Sequence, residues 1–157
     1  MIELILARHA KSDWRTAGRD DHDRPLNARG ERDAPAMGRR LAEAGTSPGI
    51  ILSSTATRAR RTAEAYSAAL GVPIALDDRL YLAPADTLWA TAAGSGAESV
   101  MLVAHDPGLS DLAARLSDGG ISHMPTCAVA RFAWQFDSWR EAAAQAPLAW
   151  SFASPGS

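Results

Sequence analysis

Apolar residues in this chain fall into short unbroken runs separated by stretches with helical spacing. Ile2, Leu4, Ile5, Leu6 and Ala7 form the first run, Ile50-Ile51-Leu52-Ser53 the second, Val72 to Leu76 the third and Ser99 to Ala104 the fourth. Such runs, bounded by turn residues, read as strands buried on both faces, as parallel strands covered by helices are. Between them, Ala34, Met37, Leu41 and Ala42 recur on one helical face. So do Ala59, Ala63, Tyr66 and Leu70, and later Leu109, Leu112, Ala113 and Leu116. Asn27 suits the cap of the first helix, which runs to about Ala44, with Pro35 expected to kink it or mark a late start. Ser54 or Thr55 is expected to cap the second helix, which ends at Gly71. Pro84 suits the first turn of a third, ending near Gly94, and Asp106 is expected to cap a fourth with Pro107 at its first position. Residues 128 to 136 instead alternate, Ala130, Phe132, Trp134 and Phe136 against Val129, Arg131 and Gln135, which marks an antiparallel strand near an edge, exposed on one side. A short helical patch, a last strand from Leu148 to Phe152 and a frayed tail from Ser154 to Ser157 complete an α/β pattern with no repeat and no linker.

Three of the runs end in chemistry. The first gives way to Arg8-His9, the second leads to Arg58 beside a helix N-terminus, and the fourth ends at His105. If these strands run parallel with right-handed crossovers, all four side chains meet at one edge of the sheet, where open α/β sheets bind ligands. Two arginines, two imidazoles and helix N-termini suit a tetrahedral dianion such as a phosphoryl group. In that setting His9 is the candidate nucleophile, Arg8 and Arg58 hold the equatorial oxygens, and His105, if protonated, adds a third donor.

Composition narrows the alternatives. At 157 residues and 46% hydrophobic content the chain can bury one sizeable core. A net charge of −2 gives no reason to expect a nucleic-acid or membrane partner. Lys11 is the only lysine, so the cationic chemistry rests on arginine, which binds planar oxyanions bidentately. Arg39, Arg40, Arg60 and Arg61 are expected to be solvated. The single Cys127 excludes an internal disulfide and fits a reducing cytosol. No run approaches a membrane span, and the chain enters its first strand with no leader, so a cytoplasmic location is expected. Asp20-Asp21-His22-Asp23 lacks metal-ligand spacing and reads as a solvated loop, so no metal and no cofactor are expected. His22 and His123 read as loop histidines, and the tryptophans as core or edge packing. A serine hydrolase is disfavoured, since Gly94-Ser95-Gly96 precedes a strand instead of following one.

The motifs resemble a known family. Arg8-His9-Ala10 is similar to the Arg-His-Gly signature of the histidine phosphatase superfamily, with alanine in place of glycine. Asp23 to Gly30 resembles its "RPL-T-x-x-G" segment, Ser53 to Ala63 its "S-S-x-x-x-R-A-x-x-T-A" segment, and Val103 to Gly108 its "V-x-H-N-P-G" segment, with Asp106 for asparagine. The resemblance implies a three-layer αβα sandwich around a mostly parallel sheet with an antiparallel edge strand, a phosphoglycerate-mutase-like minimal domain spanning residues 1–157. It also implies catalysis by His9, Arg8, Arg58 and His105 without metal or cofactor.

Within the superfamily the likeness is to the short SixA-type phosphohistidine phosphatases. The mutases and many phosphomonoesterases carry a glutamate after the third strand as proton donor, and Leu82 falls at that place, with Asp78 or Asp13 as substitutes. The expected partner is a phosphorylated protein carrying phosphohistidine, or a small phosphorylated metabolite. The alternatives are a phosphomonoesterase using the same pocket and, from another class, a non-catalytic phosphate-binding module.

Overall fold

The computed structural model describes residues 1–15 and 20–156. Part of the Asp13 to Pro25 loop and Ser157 of the tail thus lie outside the described residues. Six strands form one sheet: β1 (Ile2–Arg8), β2 (Ile50–Ser53), β3 (Ile74–Leu76), β4 (Ser99–Ala104), β5 (Val129–Trp134) and β6 (Ala149–Ala153), in the order β3-β2-β4-β1-β5-β6. β1, β2, β3 and β4 are mutually parallel, while β5 is antiparallel to β1 and to β6, so β6 takes the edge outside it. Helices α1 (Ala28–Glu43), α2 (Thr57–Leu70), α3 (Ala85–Ala93), α4 (Gly108–Leu116) and α5 (Trp139–Ala143) connect the strands. Alternation along β1 explains the layers. Leu4 and Leu6 pack with Leu88, Leu109 and Leu112 of α3 and α4, while Ile5 and Ala7 pack with Met37, Leu41, Ala63 and Tyr66 of α1 and α2.

Several local expectations shift. α1 runs unbroken from Ala28 through Pro35, capped by the Asn27 side chain, which accepts from the Gly30 N–H at 2.9 Å. Pro35 thus marks no late start. Neither Ser54 nor Thr55 caps α2; the helix starts at Thr57 with Ala56 as its cap residue, without a side-chain cap bond, while the Ser54 hydroxyl accepts from the Ala56 N–H at 3.2 Å and meets His105 at 2.7 Å. α4 begins at Gly108, one residue later than expected, with Pro107 as its cap residue. Asp106 still accepts from the Ser110 N–H at 3.0 Å, satisfying a first-turn donor. β3 starts at Ile74, since Pro73 has no N–H for the ladder and offers only its carbonyl, to the Ile51 N–H at 3.0 Å. Arg40 is not simply solvated: it donates to the Ser154 carbonyl at 2.8 Å, which ties down the tail.

Candidate active site

Register brings the catalytic candidates together. Arg8 pairs with Ala104 across β1 and β4, so the next residues, His9 and His105, lie side by side with ring centroids 5.2 Å apart. The Ser54 N–H, at the end of β2, bonds to the Val103 carbonyl at 2.9 Å, which sets the start of α2 and hence Arg58 at the same edge. Arg8, His9, Arg58 and His105 all line one cavity of about 310 Å³, together with Lys11, Ser12, Trp14, Asp21, Arg24, Leu82, Asp106 and Thr126. Close backbone approach holds its walls. A Cβ at Gly30 would stand 2.1 Å from the Lys11 carbonyl oxygen, and one at Gly108 would stand 1.9 Å from that of Ala83. Both helix N-termini can therefore press against cavity loops only with glycine there. Ala10 stands in the place of the family's glycine without a left-handed φ, its N–H bonded to Thr62 Oγ1 at 3.0 Å.

His9 is buried, and its Nδ1 lies 2.8 Å from the Ala10 carbonyl oxygen. A carbonyl only accepts, so Nδ1 carries the proton and Nε2 keeps its lone pair. Burial, followed by the charges of Arg58 and Arg8, pushes the His9 pKa down to about 3, although the Ala10 bond opposes this. His105 is also pushed down to about 3, by burial first and then by His9 and Arg58. Its expected part as a charged third donor requires protonation, which burial and these neighbours oppose. Its Nε2 lies 2.7 Å from Ser54 Oγ, and its Nδ1 has no partner.

The cavity wall is rich in donors. Arg8, Lys11, Arg24 and Arg58 supply four cations against the carboxylates of Asp21 and Asp106, an excess of two positive charges that matches a phosphoryl dianion. Among the described residues, buried side-chain nitrogens without a partner belong to four lining residues: Nε of Arg8, Arg24 and Arg58, and Nδ1 of His105. Arg8 Nη1 donates to the Met124 carbonyl at 2.9 Å and lies 3.6 Å from Asp106. Among the described residues, no cluster of three or more His, Cys, Asp or Glu is placed to hold a metal ion.

Sequence reasoning missed Asp21, Arg24 and Tyr81. Asp21 belongs to the acidic run read as a solvated loop, yet its carboxylate bonds to the Tyr81 hydroxyl at 2.5 Å, Arg24 at 3.0 Å and Arg58 at 3.0 Å. The Tyr81 hydroxyl, and then the two guanidinium groups, hold that carboxyl well below the usual carboxylate range. Arg24 also donates to Ser12 Oγ. The only signal for Arg24 was its place in the segment resembling "RPL". His22 reaches Thr55 Oγ1 at 2.8 Å, and His123 stays exposed, 3.6 Å from Asp106. Neither Asp13 nor Asp78 is among the lining residues.

The model of the histidine phosphatase superfamily (branch 1) matches residues 4–81. An uncharacterized chloroplastic protein of Arabidopsis thaliana is 33% identical over 163 positions, covering 94% of this chain and 73% of that protein. A crystal structure of a protein assigned as the phosphohistidine phosphatase SixA from Agrobacterium tumefaciens superposes with a TM-score of 0.80 at 32% identity, covering 99% of both chains. A protein assigned as the phosphoglycerate mutase GpmB of Escherichia fergusonii is 39% identical over 82 residues, 51% of this chain but only 37% of its own length. The chain belongs to the histidine phosphatase superfamily, and it is a phosphatase.

Proposed function

We propose that the protein removes the phosphoryl group from protein phosphohistidine through a covalent phosphohistidine on His9. The observation that carries this reading is the 2.8 Å bond from His9 Nδ1 to the Ala10 carbonyl, which leaves a neutral Nε2 beside Arg8, Arg24 and Arg58. Nε2 attacks phosphorus, the bond to the leaving nitrogen breaks, and its electron pair leaves on that nitrogen. The leaving ring takes its proton from water at its other nitrogen, so it departs as neutral imidazole. Water then attacks the phosphorylated His9, releasing phosphate and restoring the lone pair. Arg8, Arg58 and Arg24 stabilise the equatorial oxygens throughout, the main source of acceleration in phosphoryl transfer. No helix among the described residues is long and apolar enough to cross a membrane, and the free, buried Cys127 suits the cytoplasm.

A small phosphorylated metabolite is the second reading, favoured by the match to a mutase over half of the chain. The test is turnover of a phosphohistidine protein beside a panel of phosphate monoesters, each with and without chelator. Faster turnover of phosphohistidine, unaffected by chelator, supports the first reading; equal turnover of an unactivated sugar phosphate refutes it.

A further inference from the structure

The floor of the cavity is charged, but two of its exposed lining residues are large and apolar. Trp14 is 73% exposed and Leu82 is 54% exposed, and both line this cavity. Sequence reasoning assigned the tryptophans to packing, which suits Trp134 in the core and Trp89 and Trp139 against one another, but not Trp14. A cation supports it: the Arg24 guanidinium carbon lies 3.6 Å over the ring centroid. Arg24 is itself fixed by Ser12 and Asp21, so the ring is held in place without being buried.

Leu82 is held there against its own preference. Its φ of 52° lies in the left-handed region that few leucines adopt. The following residue is clamped, since the Ala83 carbonyl sits against Gly108 at a distance no side chain would allow. A backbone conformation that turns a leucine out to solvent at a cavity mouth contributes nothing to the core. It offers apolar surface to whatever enters.

We infer that Trp14 and Leu82 form the specificity rim of the site. They select a phosphoryl group carried on an aromatic or heteroaromatic ring over one carried on a polyhydroxylated alcohol. This rests on the phosphatase reading of the cavity. The oxygens of the substrate are recognised by the arginine floor whatever they are attached to. The attached body meets an indole and an isobutyl group, and only an apolar or planar body gains by covering them.

Phenylphosphonate and methylphosphonate share one head group, resist hydrolysis and differ only in the attached body, so titration calorimetry with both isolates the rim. Phenylphosphonate should bind the wild type about tenfold more tightly, the scale of one well-made aromatic contact. Trp14→Ala and Leu82→Gly should each bring that ratio towards unity. Leu82→Gly keeps the test open should the tryptophan variant fold poorly, because glycine suits this φ. A wild-type ratio within twofold, or a ratio unchanged in both variants, overturns the rim. Binding of neither phosphonate overturns the rim and the phosphoryl site together. A clear preference for phenylphosphonate without turnover of any phosphoryl compound upholds the rim and sinks the phosphatase reading instead.

Discussion

Asp21 grips Arg58 twice: its carbonyl oxygen accepts from Nη1 at 2.7 Å, and its carboxylate accepts from Nη2 at 3.0 Å. Arg58 is only 2% exposed, and this is the ion pair that fixes the buried guanidinium. Each terminal nitrogen keeps a second N–H, so Asp21 can orient the group from the loop side without taking all of its donors from a phosphoryl oxygen. Arg58→Ala should lower kcat by about 10²–10³, the scale of one lost preorganised donor. Asp21→Asn keeps the main-chain bond but loosens the other, and kcat should fall by roughly 10-fold to 10²-fold through misplacement of Arg58. Steady-state kinetics decide the matter: a kcat within twofold of wild type in Asp21→Asn would free Arg58 from Asp21.

His9→Ala should abolish turnover and leave the fold intact. The residue follows β1, and its backbone bonds to Ala104 and Cys127 do not involve the ring. Rapid quenching of the wild type at alkaline pH should trap a phosphoryl label that acid releases. The variant should trap none, with an unchanged circular dichroism spectrum. More than a few per cent of the wild-type rate in the variant would remove His9 from the nucleophile's role.

Acid should destabilise the protein well above the range where carboxylates titrate. His9 and His105 have pKa values of about 3 in the folded state, against about 6.5 in the unfolded chain. Between these values the unfolded chain binds the extra protons, so stability falls as pH falls. Each histidine contributes a slope of up to about 1.4 kcal/mol per pH unit in that window. Asp21, whose carboxyl is depressed, adds to the loss below about pH 4. The urea midpoint should therefore drop from pH 7 to pH 5, and His105→Asn should flatten the dependence. A midpoint that stays constant over this interval would mean that neither ring has a depressed pKa in the folded protein.

The strands, their order of use and the four candidates at their ends were legible because a buried parallel strand is an unbroken apolar run. A charged or imidazole side chain directly after such a run leaves the core at the strand's C-terminal edge, where ligands bind. β1 and β4 carry Arg8, His9 and His105 on this logic alone. Asp21 and Arg24 were not legible, since a loop has no period and its contacts are set by residues far along the chain. Asp21 meets Tyr81, 60 positions away, and Arg58, 37 positions away. The exposure of Trp14 was hidden for the same reason. Composition favours burying an indole, and only the placement of Arg24 shows what holds this one at the surface. Cap positions slipped by a residue or two, as at α2, whose cap residue is Ala56 while the Ser54 hydroxyl serves the turn before it by accepting from the Ala56 N–H.

Among the described residues, no carboxyl at this site stands ready to protonate a leaving group. Of those expected to do so, Asp78 is exposed on its turn and Asp13 accepts from the Arg15 N–H at 2.8 Å; neither lines the cavity. The two carboxyls that do line it are engaged. Asp21 is held ionised by Tyr81, Arg24 and Arg58, and Asp106 accepts from the Ser110 N–H and hydroxyl. An unactivated alkoxide leaving from this site therefore lacks general-acid help, worth about 10²–10⁴. A ring nitrogen protonated from water, or an aryl oxygen already stable as an anion, loses little. Rates should follow the order phosphohistidine, aryl phosphate, then alkyl phosphate far behind. Leu82 lines the cavity and faces solvent, so Leu82→Glu places a carboxyl at its mouth. That variant should raise kcat for an alkyl phosphate by about tenfold or more and leave a new basic limb in its pH profile. It should also weaken phenylphosphonate binding, as the apolar rim is lost. Wild-type turnover of an alkyl phosphate at the phosphohistidine rate would show that Asp21 or Asp106 gives up its partners during the reaction and delivers the proton itself.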